Sequence, residues 1–373
     1  MGGSQLEEAA RSQRRSREAA VSGRRLLAVG AVGVGGAAAL LLVGAAPAAA
    51  HAVGIGATPS NYRTVLLSVS PPVPGLSVRV LEAGNKLQLT NHSGQQVVVL
   101  GYDGEPYLRV GPAGVEENQR APSTYMNRSA LPLARQAVPA QADPSAPPRW
   151  RRIALQPVAV WHDHRAHWSQ PSPPPGVRAA PGRAQVVVPA WQVPLRVGSR
   201  TVLVSGEIVW VPGPSPWPWL GLAALLCAAG LLAGRSVWAR PALAAVTAGA
   251  VAADVVHATA SWLGSAAPVA TKLGANVTTA SGWVLAAVAV ERLLRGRGEA
   301  GRLLLLLAGI FLVVGGAAPD LSTLSRSQLS SGLGPAWTRA AVAVTLGLGT
   351  AMVLGVLLRS RRGDREGLRT AAP

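Results

Sequence analysis

Three of the chain's six histidines fall in the eight residues Trp161-His162-Asp163-His164-Arg165-Ala166-His167-Trp168, together with one carboxylate and two flanking tryptophans. Imidazole suits Cu(II), Zn and Ni as a ligand. If Val158-Ala159-Val160 runs on as a strand, its alternation puts Val158, Val160, His162 and His164 on one face and Trp161, Asp163 and Arg165 on the other. If the chain turns into a helix with Asp163 as N-cap, His164 and His167 share a face three residues apart. Either path brings two imidazoles together. The competing role is packing, with rings that cap turns, bond carbonyls and fill the space between Trp161 and Trp168.

A second constellation sits in apolar sequence. Asp254 and His257 are three apart in one hydrophobic run, Ser261 continues their stripe, Asp320 follows a later run, and Arg326 lies just beyond it. Ionisable groups inside membrane spans are costly, so they usually face a bundle interior or an aqueous path. These residues form a candidate membrane polar cluster, with Asp254 and His257 as an inner relay or as an interhelical lock.

A third group, Tyr102, Asp103, Glu105, Tyr107 and Tyr125, is a candidate interaction surface, because exposed Tyr beside acids and amides suits a protein or glycan partner. The alternative is tyrosines half-buried at sheet edges with their hydroxyls satisfied locally. Catalytic signatures are missing. Asp163, His164 and Ser169 lie close together, yet no G-x-S-x-G elbow accompanies them. The single cysteine, Cys227, falls in an apolar run, which removes disulfides and thiolate chemistry from the polar part of the chain.

The elements that must hold these residues divide sharply. An apolar fraction of 49% with only 14% charged residues marks a chain partly dissolved in lipid. Residues 1–25 form a basic n-region and 26–50 a signal peptide or anchor helix. The small residues Ala48-Ala49-Ala50 fit cleavage that would leave His51 first, adding an α-amine and a ring nitrogen to the metal-ligand candidates.

Residues 51–214 read as an all-β sandwich of roughly seven short strands, immunoglobulin-like or cupredoxin-like, interrupted by Pro-rich excursions at 113–148 and 171–175. Residues 217–358 read as an all-α bundle of five transmembrane helices, Trp217–Gly234, Pro241–Trp262, Val277–Leu294, Leu303–Ala318 and Trp337–Leu358. Residues 359–373 form an Arg-rich tail.

The net charge of +18 raises a nucleic-acid partner. Its distribution argues against one, because the arginines collect before the first apolar run, at 235–240, at 292–302 and in the tail. Those are the cytoplasmic flanks of alternating helices under the positive-inside rule. The expected arrangement is a multi-pass plasma-membrane protein with the β-domain extracytoplasmic and the C-terminus cytoplasmic.

Export signal, candidate mature His51, a β-domain without disulfides and a histidine-bearing helical bundle together resemble the CopC-like and CopD-like modules of bacterial copper-resistance proteins joined in one chain. That resemblance implies copper handling at the envelope, with an N-terminal His and a later Asp-x-His pair as ligands. The nearest match here is His51 with Asp163-His164, adjacent instead of spaced. The chain also looks like a class of actinobacterial membrane proteins with exported β-domains, which implies no activity. The two function classes are therefore copper, or another divalent metal, held by His51, His162, Asp163, His164 and His167, and an envelope module that binds a protein or glycan with the helices as anchor.

Overall fold

The computed structural model describes residues 58–128, 137–235 and 239–370, with side chains through residue 359. The n-region, the signal segment and His51 lie outside the described residues. Val- and Leu-rich alternation builds two antiparallel sheets. The larger one runs in the order β1 (Tyr62–Ser70), β10 (Arg200–Trp210), β9 (Gln185–Val197), β4 (Val97–Leu100), β5 (Pro106–Gly111), β6 (Gly114–Asn118) and β7 (Trp150–Ala154). The smaller pairs β2 (Leu76–Leu81), β3 (Lys86–Asn91) and β8 (Val158–His162).

Both sheets contribute to one core cluster, with Leu87 and Leu89 from β3 beside Val97, Val99, Leu195 and Ile208 from the larger sheet. Burying each such side chain stabilises the fold by about 1.5–3 kcal/mol. The Pro-rich excursion is more structured than a loop, since it holds β6 and a short helix at Pro122–Met126.

The sequence between Pro214 and the tail folds as helices α1 (Trp217–Ala233), α2 (Ala239–Gly264), α3 (Val269–Leu294), α4 (Gly298–Ile310) and α5 (Pro335–Thr370). A π-helical segment, Phe311–Ala317, continues α4. Among the described residues four helices, with spans Ala239–Gly264, Val269–Leu294, Glu299–Ala317 and Pro335–Arg359, are long and apolar enough to cross a membrane, so the chain is a multi-pass membrane protein with a β-domain. The first expected span, α1, is apolar but has 17 residues. The third expected span is longer than its sequence suggested, because the helix begins at Val269, ahead of Val277, and runs unbroken through Thr278, Thr279 and Ser281.

The loop between α4 and α5 ties the β-domain to the bundle. Ser60 and Gln328 form a two-bond antiparallel bridge, the Ser327 amide donates to Asn61 Oδ1 at 2.9 Å, and Ser327 Oγ donates to the Val211 carbonyl at 2.7 Å. Glu82 makes a further link. It sits at φ 49°, with Ala83 at φ 55°, a backbone region that non-glycine residues avoid. From there its buried Oε1 accepts the Ala266 amide, at the α2–α3 turn, at 2.8 Å and Lys86 Nζ at 2.8 Å.

Candidate functional site

The bundle places its polar residues at the end that carries the β-domain. His257 Nε2 lies 2.7 Å from Asp320 Oδ2, and Trp283 Nε1 donates to Asp254 Oδ2 at 2.7 Å. Asp254, His257 and Asp320 line one cavity of about 80 Å³. That is room for several waters and far below the size of an organic-ligand pocket. Hydroxyl groups of Ser261, Ser322 and Thr338 line it as well.

Exposure falls along the cluster. The Asp320 side chain is 27% exposed, His257 9%, and Asp254 1%. The second ring nitrogen of His257, Nδ1, is buried with no hydrogen-bond partner among the described residues. With Nε2 committed to Asp320, Nδ1 is the ring nitrogen left for a second partner. A methyl group on Gly316, in the π-helical segment, would collide with Asp254 Oδ1. The missing side chain is what admits the carboxylate.

The sequence placed Asp254 and His257 one turn apart and Asp320 nearby, and the fold brings all three to one cavity. Arg326 is separate. It lines another cleft, beside Tyr62 and Trp168, and its carbonyl accepts Arg339 Nη2 at 2.7 Å. Sequence reasoning missed Trp283 and Gly316, which carry no ionisable group to draw attention in an apolar run.

The histidine tract follows the expected strand only as far as His162 and does not continue as a helix. The strand ends at His162, and a turn follows in which Asp163 Oδ1 accepts the Arg165 amide at 3.1 Å. Asp163 is buried, receives Trp161 Nε1 at 3.0 Å, and binds the Arg165 guanidinium through Nε and Nη2, both at 2.8 Å. His162 Nδ1 meets the Asn85 carbonyl at 3.0 Å. His164 Nε2 meets the Met126 carbonyl at 3.0 Å, and His167 Nδ1 meets the Asp163 carbonyl at 3.0 Å.

The His164 and His167 rings stand 4.8 Å apart, centroid to centroid. Burial first, and the neighbouring His164 second, push the His167 imidazole down to about 4. Burial, then the charge of Lys86, lowers His162. Neutral rings are what a metal requires. The donors among the described residues do not by themselves complete a copper site, however. The Asp163 carboxylate is spent on Trp161 and Arg165, and no group of three His, Cys, Asp or Glu able to hold a metal occurs among the described residues.

The tyrosines are placed by local bonds. Tyr107 and Glu105 are buried. Tyr102 Oη donates to Asn127 Oδ1 and accepts the His164 amide at 3.0 Å, and burial pushes its hydroxyl up. Tyr125 Oη donates to the Gln119 carbonyl at 2.9 Å. Glu105 Oε2 accepts the amide of Asp103, which is itself exposed, at 3.0 Å. The chain matches no protein-family model, no curated protein and no solved structure.

Proposed function

We propose that this multi-pass membrane protein exchanges protons between the aqueous face under its β-domain and a buried carboxylate, Asp254, by way of Asp320 and His257. The observation that carries this reading is the fall in exposure from Asp320 through His257 to Asp254 around one small cavity. An intramembrane ionisable residue is a functional position by default. The cavity has room for a few waters, which suits the passage of a proton.

Beyond Asp254 the bundle is closed by an apolar cluster that includes Ala250, Leu305, Leu312 and Met352. Access is therefore one-sided, and the β-domain, tied to the loop that carries Asp320, forms the roof of the site. In this reading α1 is a fifth crossing, the β-domain is extracytoplasmic and the tail cytoplasmic.

The test is infrared difference spectroscopy of the full chain in lipid vesicles, stepping the pH on the β-domain side. A carboxyl band lost in Asp254→Asn should respond to the step, and the response should be slowed or abolished in Asp320→Asn and in His257→Gln. A band that follows pH equally in the parent, in Asp320→Asn and in His257→Gln defeats the proposal.

Copper handling is the second reading. It rests on the paired rings of His164 and His167 and needs His51 or another donor to complete a site. Cu(II) titration of the full chain, followed by electron paramagnetic resonance, tests it. A nitrogen-hyperfine signal lost in both His51→Ala and His167→Ala supports it, and a chain that yields no such signal removes it.

A further inference from the structure

At the opposite end of the bundle a cavity opens between α1, α2, α4 and α5. Its walls are apolar, with Leu231, Leu243, Leu305 and Met352, and three arginines line it as well, Arg235 just beyond α1, Arg302 in α4 and Arg359 in α5. No carboxylate lines it among the described residues, and neither Arg235 nor Arg359 forms an ion pair among them.

Each arginine marks the end of an apolar segment. Arg235 follows Trp217–Ala233 by two residues, Arg302 lies in the first turn of Glu299–Ala317, and Arg359 closes Pro335–Arg359. They therefore sit at the depth where hydrocarbon gives way to headgroups. A groove with apolar walls and a cationic rim at that depth matches the two halves of one kind of molecule. We infer that this groove, about 60 Å³, seats an anionic phospholipid, its phosphate on Arg235 and Arg359 and only the start of an acyl chain against the apolar wall, the rest of the lipid lying in the bilayer. Charge complementarity selects the headgroup, since a zwitterionic lipid brings its own cation to a rim that already carries three. The apolar walls select a lipid over free phosphate, which would use the rim alone.

The floor of the groove offers an independent handle. A methyl group on Gly355 would meet only Leu231 Cδ2, at 3.7 Å, an ordinary contact. A longer side chain there would occupy the groove without altering its charge.

Native mass spectrometry of the full chain, equilibrated with equal amounts of phosphatidylglycerol and phosphatidylcholine, tests the inference. Phosphatidylglycerol should be retained preferentially. Arg235→Gln with Arg359→Gln should weaken that retention by about thirtyfold, from the loss of two cationic contacts, and Gly355→Leu should weaken it with all arginines present. The pair Arg235→Lys with Arg359→Lys should keep the preference, and it carries the test with Gly355→Leu if the glutamine pair fails to fold.

Equal retention of the two lipids by the parent, or a preference untouched by the glutamine pair, overturns the inference. So does displacement of bound phosphatidylglycerol by soluble glycerol phosphate at matched concentration, which would identify a free-anion site.

Discussion

Asp163 illustrates how one side chain can decide the role of its neighbours. Its carboxylate is buried and takes the Trp161 indole and the Arg165 guanidinium, and Arg165 in turn lies 4.9 Å above the Tyr102 ring. Replacing Asp163 with Asn leaves a buried guanidinium without its counter-charge. Thermal unfolding of the full chain should then show the β-domain weakened by about 3 kcal/mol. A change within experimental error would mean that solvent reaches Arg165.

His167 supplies the pH dependence. Its ring titrates near 4 in the folded chain and near 6.5 when unfolded, so the unfolded state takes up the proton first. The neutral ring's contribution is complete above pH 6.5 and is lost as the pH falls to about 4. The midpoint of unfolding, read by near-ultraviolet circular dichroism, should drop across that window, and His167→Gln should flatten the drop. An equal slope in the variant assigns the effect to other groups. The tract was conspicuous in the sequence as a density of ligand-forming residues, yet its role was not legible there. The atoms that commit His162 and His164 belong to Asn85 and Met126, which are distant in the chain and supply only backbone carbonyls.

Elements whose burial follows a simple period were the readable ones. Strands β2 and β3 alternate apolar and polar residues along Leu76–Leu81 and Lys86–Asn91. Strand β6, Gly-Val-Glu-Glu-Asn, gave no such signal, because cross-strand ion pairs hold much of it. Glu116 pairs with Arg109 on β5 and Glu117 with Arg151 on β7. Such pairs become visible only once the strands are adjacent.

The π-helical end of α4 was equally hidden, since no residue type announces it. Its consequence is local and testable. Gly316→Ala drives a methyl into Asp254 Oδ1, so either the carboxylate leaves Trp283 or the π turn opens. Gly315→Ala is the control, as its methyl would meet only Thr278 Cγ2, at 3.2 Å. Gly316→Ala should cost about 1–3 kcal/mol and shift the Asp254 carboxyl band, while Gly315→Ala should do less on both measures. Equal effects would mean that Asp254 does not depend on Gly316 for its space.

For the whole molecule the open number is the count of crossings, because it fixes which side of the membrane each end occupies. Helix α1 rises roughly 25 Å over its 17 residues, short of a hydrocarbon core of about 30 Å. Its neighbour argues that it crosses all the same. Ala223 approaches Gly347, Gly230 approaches Ala351, and Leu231 approaches Gly355, so α1 advances in parallel with α5 through the depth that α5 spans. Trp217, 74% exposed, stands at one end of α1 and Arg235 at the other, the residue types that anchor a short span at its two interfaces. Five crossings put residue 373 on the side opposite the β-domain. Four crossings, with α1 lying along the surface, put both on the same side. Reporter tags after Pro373 and within residues 137–148 should therefore give opposite answers, cytoplasmic for the first and external for the second. Matching answers would take α1 out of the bilayer and leave its parallel contacts with α5 unexplained. They would also move the arginine-rimmed lipid groove away from the headgroup level that its chemistry requires.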